Sequence, residues 1–182
     1  MKRAAFLDRD GVINRDRGYV HRWEDFEFLP GVLDAASRLA SGGWTLVVVT
    51  NQSGIARGYY TEEAYLALTR SMTDAFARQG APLAAVYHCP HHPEGHIAAL
   101  AIDCDCRKPA PGLLLRARDE LGLSLSDSVM VGDKPSDVLA ARAAGVGRAF
   151  LIRSQTADAP ATSDDADGAF DDLAGCVDHL LR

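Results

Sequence analysis

Residues 4 to 14 read Ala4-Ala5-Phe6-Leu7-Asp8-Arg9-Asp10-Gly11-Val12-Ile13-Asn14. A short apolar run stops in two aspartates one residue apart, and a glycine follows. The run reads as a buried strand and Gly11 as a sharp exit from it. Ligand sites in parallel α/β sheets lie just past the carboxyl ends of strands. Two carboxylates placed there have two readings: an Asx-capped turn, or a nucleophile with its acid/base partner beside a metal. The stretch alone favours the turn, because short motifs match by accident. The rest of the chain reverses that order.

Four further strand-like runs follow. Residues 44–49 are apolar on both faces, the pattern of a central parallel strand, and lead into Thr50-Asn51-Gln52-Ser53-Gly54. That ending is an anion cradle or an ordinary polar turn. Residues 84–88 lead into Cys89-Pro90-His91-His92-Pro93, and later Cys104-Asp105-Cys106-Arg107-Lys108. Residues 128–131 end in Gly132-Asp133-Lys134-Pro135-Ser136-Asp137, and 148–152 form the fifth run. The spacing predicts helices from Pro30-Gly31 to about 40, from Thr61 to about 79, from Pro111 to about 121 and from Ser136 to 144. Phe170, Leu173, Val177 and Leu180 predict a last amphipathic helix. Residues 154–168, rich in Ser, Thr, Ala and Asp, read as a mobile surface segment. Strands alternating with helices predict a doubly wound, Rossmann-like parallel α/β sheet of about five strands with helices on both faces. No linker or repeat interrupts residues 1–182, so a single domain is expected.

Composition narrows the function. A chain of 182 residues with a formal net charge of -6 is no general binder of nucleic acid or membrane surfaces. No apolar run is long enough to span a bilayer, and the N-terminal strand is too short for a signal-peptide core. A cytoplasmic protein acting on a small molecule is expected, and a monomer, since no association motif is visible. Of the nineteen basic residues only Lys2, Lys108 and Lys134 are lysines, and the last two sit in the stretches singled out above. A compact ammonium suits point contact with a phosphoryl oxygen. Cys89, Cys104 and Cys106 cluster in sequence, which favours a metal over disulfides in the cytosol. Cys176 stands apart and reads as a small apolar filler.

The strand ends of a parallel sheet collect on one edge. Asp8, Asp10, Thr50, Asn51, Asp133 and Asp137 therefore converge, and Lys108 enters from the start of its helix. Several acidic groups in one place repel one another, and a divalent cation offsets this; carboxylates with waters suit Mg²⁺. Several unrelated polar turns would all have to meet there by accident, so the catalytic reading prevails.

The chain resembles the haloacid dehalogenase-like phosphohydrolases. Their four motifs stand in order: Asp8-x-Asp10-Gly11, Thr50-Asn51, Lys108, and Gly132-Asp133-x-x-x-Asp137. The resemblance implies Asp8 as nucleophile and Asp10 as general acid and base. It implies Mg²⁺ held by Asp8, the Asp10 carbonyl and Asp133. Thr50 or Asn51, with Lys108, would steady the phosphoryl group, and Asp137 would orient Lys134 or a metal-bound water. From about residue 6 to 152 the chain is further similar to the heptose 1,7-bisphosphate 7-phosphatase family. The carrying residues include the loop Asp16-Arg17-Gly18-Tyr19 and the run Thr50-Asn51-Gln52-Ser53-Gly54-Ile55-Ala56-Arg57-Gly58. That similarity implies a sugar bisphosphate substrate contacted by Asp16, Arg17, Gly18, Tyr19, Gln52, Ser53, Arg107 and Lys134. It implies a place in nucleotide-activated heptose synthesis, which feeds lipopolysaccharide or a glycosylated surface layer. Arg17 departs from the histidine expected at its position.

Cys89-x-His91 with Cys104-x-Cys106 offers three sulfurs and a nitrogen, a closed tetrahedral zinc set. The spacing leaves His88, His92 and His96 as alternatives; the resemblance selects His91 and makes the Zn²⁺ structural, pinning residues 89–106. Neither 14–30 nor 89–106 is long enough for a separate cap domain. The rival readings are a histidinol-phosphate phosphatase, which shares the motifs, and a zinc-loop interaction protein whose phosphatase site is idle.

Overall fold

In the computed structural model, residues 1–153 and 163–182 are described. Strands β1 (Lys2–Leu7), β2 (Thr45–Asn51), β3 (Leu83–Cys89), β4 (Leu123–Gly132), β5 (Arg148–Ile152) and β6 (Gly168–Phe170) make one sheet ordered β3-β2-β1-β4-β5-β6. Every neighbouring pair is parallel. The chain winds outward from β1 through β2 to β3, then returns to β4 on the other side of β1 and winds away through β5 to β6. The carboxyl ends of β1 and β4 therefore flank the point where winding reverses, the place where such sheets open a crevice for ligands.

Among the described residues five α-helices cover the sheet: α1 (Val32–Ser41), α2 (Glu62–Arg78), α3 (Gly112–Leu121), α4 (Pro135–Ala144) and α5 (Leu173–Leu180). The alternation of side chains along the strands divides them. Ala5, Leu7, Val48 and Val131 pack with residues of α1, α2 and α5, whereas Ala4, Phe6, Val47, Val49 and Met130 pack with α3 and α4. Two adjacent residues of β1 thus belong to opposite cores, which is why the run 4–7 is apolar throughout.

Local chemistry sets the helix ends. Thr61 accepts the Ala64 N–H at 3.1 Å and caps α2, whose first turn carries Glu62 and Glu63. Pro135 occupies the first position of α4. Asp172 caps α5 by accepting the Gly175 N–H at 2.8 Å.

Three boundaries differ from the sequence reading. The sheet has six strands among the described residues; β6 is three residues long, too short to carry a period, and pairs Leu151 with Ala169. α5 accordingly begins at Leu173, and Phe170 belongs to the strand. β4 begins five residues before the predicted 128. Its first half is masked by Ser124, Ser126 and Asp127, which sit at an irregularity where the register jumps from Arg3↔Ser124 to Ala5↔Val129. Ser128 closes that irregularity by accepting the Ala4 N–H at 2.8 Å. The predicted mobile segment lies largely outside the described residues, which resume at 163. Cys176 is fully buried in α5, where burial pushes its thiol up to about 12. Among the described residues no helix is long and apolar enough to cross a membrane.

Candidate active site

The β1 strand delivers Asp8 to the crevice, with the Asp8 N–H bonded to the Val131 carbonyl of β4 at 3.0 Å. β4 delivers Asp133, and the first turn of α4 delivers Asp137. Carboxylate oxygens of these three aspartates lie within 4.8 Å of one another. Two glycines make the approach possible. A Cβ on Gly11, at φ +87°, would sit 2.2 Å from Asp133 Oδ2, and one on Gly132 would sit 2.2 Å from the Asp137 Cβ.

Lys108 enters between them, almost fully buried. Its Nζ lies 3.0 Å from Asp8 Oδ1 and 2.6 Å from Asp137 Oδ1, and donates to the Val49 carbonyl at 2.8 Å. Burial alone would lower the Lys108 pKa; the charges of Asp137 and Asp8 outweigh it and hold the ammonium above its usual range. The Asp137 carboxylate is fully committed. Its Oδ1 meets Lys108, and its Oδ2 accepts the N–H groups of Asp133 and Lys134, each at 3.1 Å. Asp137 therefore holds the Lys108 ammonium, with only the backbone N–H of Lys134 as partner from that residue.

Asp133 is the opposite case. Its Oδ1 is buried with no hydrogen-bond partner. Burial, then the neighbouring Asp8 charge, pushes its carboxyl up to about 8. Burial also lifts Asp8 to about 6; Lys108 opposes this, while Asp137 and Asp10 add to it. An orphaned carboxylate oxygen facing further carboxylates fits a hard divalent cation, whose charge would repay the burial of these anions.

Asp10, two residues on, is turned into different surroundings. Its Oδ1 accepts Arg9 Nε at 3.2 Å, Arg9 Nη2 at 2.9 Å and Asn14 Nδ2 at 3.0 Å, and its Oδ2 accepts Gln52 Nε2 at 3.1 Å. Gln52 Nε2 also donates to Thr50 Oγ1 at 2.9 Å. Asn51 is spent on the backbone of Lys108, donating to its carbonyl and accepting its N–H, both at 3.0 Å. Of the two polar residues ending β2, Thr50 spends its hydroxyl proton only on a long contact, 3.5 Å to the Asn51 carbonyl, and Asn51 ties β2 to the Lys108 loop.

Two connected hollows mark the crevice. A narrow well of about 40 Å³ is lined by Asp8, Asp10, Asn51, Lys108, Lys134, Ser136 and Asp137. It shares Asp10, Asn51 and Lys134 with a wider cleft of about 310 Å³, bounded also by Asp16, Gly18, Tyr19, Gln52, Ser53 and Tyr60. The three shared residues make the two hollows one continuous site, open to a ligand larger than the well alone.

Beside the crevice, Cys89, His91, Cys104 and Cys106 bring three sulfurs and a ring nitrogen together. Cys89 Sγ lies 3.1 Å from Cys106 Sγ and 3.5 Å from Cys104 Sγ, and His91 Nδ1 lies 3.4 Å from Cys106 Sγ. These spacings approach the edges of a tetrahedron around zinc, about 3.7 Å for Zn–S bonds of about 2.3 Å. His88 instead meets Glu62 at 2.7 Å, His92 lies beside Arg57, and His96 is exposed. Gly112 at the start of α3 donates to the Asp105 carbonyl at 2.8 Å, and a Cβ there would meet that oxygen at 2.4 Å.

The HAD-hydrolase-like family model matches residues 105–176. The D-glycero-beta-D-manno-heptose-1,7-bisphosphate 7-phosphatase of Vibrio cholerae serotype O1 is 53% identical over 153 residues, 84% of this chain and 82% of that one. The enzyme of the same name from Escherichia coli K12 is 49% identical over 171 residues, 94% and 90% of the two chains. The chain belongs to the haloacid dehalogenase-like phosphatases. A solved structure of the D,D-heptose 1.7-bisphosphate phosphatase from B. bronchiseptica, complexed with magnesium and phosphate, superposes with a TM-score of 0.82. It is 33% identical and covers 100% of this chain and 98% of that one. The chain is accordingly a phosphoric monoester hydrolase, in the branch of the family whose named members act on heptose bisphosphate.

For a phosphatase of this family the sequence named most of the crevice. Asp8, Asp133, Lys108 and Asp137 meet as expected, and Asp16, Gly18, Tyr19, Ser53 and Lys134 line the wells. Arg17 does not join them: it is exposed and paired with Glu27, which also meets Arg15. Arg107 lies outside both linings, with its Nη1 buried and without a partner. Gln52 lines the cleft, but its amide is spent on Asp10, Thr50 and Tyr60. Sequence reasoning missed Arg9, Asn14, Tyr60 and Ser136. Arg9 carried the one available signal, since a basic residue set between two aspartates at the end of a buried strand needs a partner when buried.

Proposed function

We propose that this phosphatase hydrolyses the 7-phosphate of D-glycero-D-manno-heptose 1,7-bisphosphate through an aspartyl-phosphate on Asp8. Asp8 supplies the attacking carboxylate oxygen while the bond from phosphorus to the sugar oxygen breaks. Asp10 gives its proton to that leaving oxygen, then takes one from the water that attacks phosphorus and frees Asp8. Lys108 and the Thr50 hydroxyl hold phosphoryl oxygens as charge develops on them. Asp8, the Asp10 carbonyl and Asp133 would hold Mg²⁺, which supplies charge neutralisation between an anionic nucleophile and an anionic ester. Arg107 takes the second phosphate in a fork that lysine cannot offer, and its unpartnered Nη1 supports that role. Cys89, His91, Cys104 and Cys106 would hold Zn²⁺ as a structural pin, keeping Arg107 and Lys108 in place. We place the enzyme in the cytoplasm, acting as one domain.

The observation that carries the reading is the buried Lys108 ammonium bridging Asp8 and Asp137 beside an unpartnered Asp133 oxygen. The likeness to named heptose bisphosphate phosphatases over most of the chain supports the substrate. The test is phosphate release with Mg²⁺ from the α and β anomers of heptose 1,7-bisphosphate and from histidinol phosphate. The names of the relatives favour the β anomer, and we expect it to be turned over fastest. Preference for histidinol phosphate would overturn the substrate and the role of Arg107.

A further inference from the structure

We propose that Gln52, locked by the Tyr60 hydroxyl, is a positioning residue that ties Asp10 and Thr50 into one unit and aims one lone pair of Asp10 Oδ2 at the leaving oxygen. The inference rests on the reading of Asp10 as general acid.

The geometry starts from Asp10. Its Oδ1 receives three donors, two from Arg9 and one from Asn14, and has no capacity to spare. Its Oδ2 receives one, from Gln52 at 3.1 Å, so the proton for the leaving group sits on the remaining lone pair of Oδ2. Asp10 lines both the well and the cleft, so its carboxyl stands at the junction an ester would cross. The direction of the lone pair is set by where the Gln52 amide stands.

The amide is itself fixed at all three points. Tyr60 donates to Gln52 Oε1 at 2.6 Å, which leaves the NH₂ end to face Asp10 Oδ2 and Thr50 Oγ1. In the reverse orientation the carbonyl oxygen would face Asp10 Oδ2 and compete for the proton that the leaving group needs. Gln52 is 2% exposed and Tyr60 7% exposed, so neither can trade these bonds for water. Burial raises the Tyr60 pKa, so its hydroxyl stays a donor. The ring is held by stacking on His21, with centroids 4.8 Å apart and planes 5° from parallel. It also lies on the Gly54 backbone, where a Cβ would meet Tyr60 Cε1 at 2.1 Å. By taking the Thr50 lone pair, Gln52 also turns the Thr50 proton away from itself. One amide thus aligns the proton donor and a phosphoryl donor, and a small misplacement of either costs rate steeply.

The test uses leaving groups that differ in their need for a proton. p-Nitrophenolate departs unprotonated, whereas phenolate is a poorer leaving group and gains from a general acid. Neither ester carries a sugar, so a lost sugar contact changes neither rate. The kcat/KM for each, which reports steps up to leaving-group departure, is measured in the wild type, Tyr60→Phe, Gln52→Met and Asp10→Asn. We expect Tyr60→Phe and Gln52→Met to lose about tenfold more on phenyl phosphate than on p-nitrophenyl phosphate, a fraction of the 10²–10⁴ that general acid catalysis supplies. Asp10→Asn should show the same selectivity, more strongly. Equal losses on both esters in Tyr60→Phe and Gln52→Met, with Asp10→Asn selective, would overturn the positioning role alone. Equal losses in Asp10→Asn as well would overturn the reading of Asp10 beneath it. Thermal unfolding of each variant separates these outcomes from misfolding, and Tyr60→Phe removes a single oxygen.

Discussion

The crevice between β1 and β4 and the loop over 89–106 each gather side chains fit for a cation, but they leave different things over. In the loop, Cys89, His91, Cys104 and Cys106 face one another, and a tetrahedral ion would use every donor. In the crevice, Asp137 is spent on Lys108 and two backbone N–H groups, Asp8 is shared with Lys108, and Asp133 Oδ1 has nothing. A cation bound there keeps positions open for water and phosphate. On the proposed reading the closed set would hold a loop and the open set would do chemistry. The sources of the donors differ too. The loop takes all four from one stretch of chain, whereas the crevice takes them from β1, β4 and α4.

The sharpest way to break this contrast is Asp8→Asn. It should lower kcat by a factor on the order of 10⁴ or more while zinc content, read by metal analysis, stays at the wild-type level. Lys108→Met comes next. It removes the bridge between Asp8 and Asp137 and should cost about 10²–10³ in kcat, measured by phosphate release. Cys104→Ser attacks the closed set instead. With a domain of this size shifting about 2–4 °C per kcal/mol, loss of a pinned loop should lower Tm by about 10 °C. KM should rise, because Arg107 and Lys108 follow Cys106 directly, while the leaving-group dependence stays as in the wild type. Asp137→Asn should cost about tenfold in kcat with no loss of zinc, since it weakens the hold on the Lys108 ammonium.

The smallest effect is one of pH. In metal-free protein the Asp8 and Asp133 carboxyls stand raised to about 6 and about 8. The folded state therefore binds more protons than the unfolded state from about pH 4 upward, and stability falls as pH rises toward 8. Mg²⁺ should reverse that trend, giving a larger rise in Tm at pH 8 than at pH 6. Calorimetry with and without Mg²⁺ reads both slopes.

The sequence showed these two regions unequally. The clustering of Cys89, His91, Cys104 and Cys106 was legible from spacing together with family likeness, because they come in two close pairs. The crevice was legible only through the fold: Asp8 and Asp133 are far apart in sequence, and the parallel sheet brings their strand ends together. The apolar runs of β1 and β2 announced that sheet plainly. β6 escaped because three residues carry no period, and half of β4 because Ser124, Ser126 and Asp127 break its apolar run. The surroundings of Asp10 were the least legible part. Asn14 and Tyr60 look like ordinary loop residues, and Tyr60 turns inward only because Gly54 leaves room for its ring. Gln52 read as a substrate contact for the same reason, since its partners are set by packing that no local pattern encodes.

The central claim, that the open set acts through Asp8, is tested most directly by trapping the intermediate. The enzyme is mixed with Mg²⁺ and excess heptose 1,7-bisphosphate, quenched in acid during turnover, reduced with borohydride and mapped by peptide mass spectrometry. The account expects the reduced residue at Asp8 and nowhere else, and none in Asp8→Asn. Modification at another carboxylate, or rapid phosphate release with no trapped residue, would contradict it.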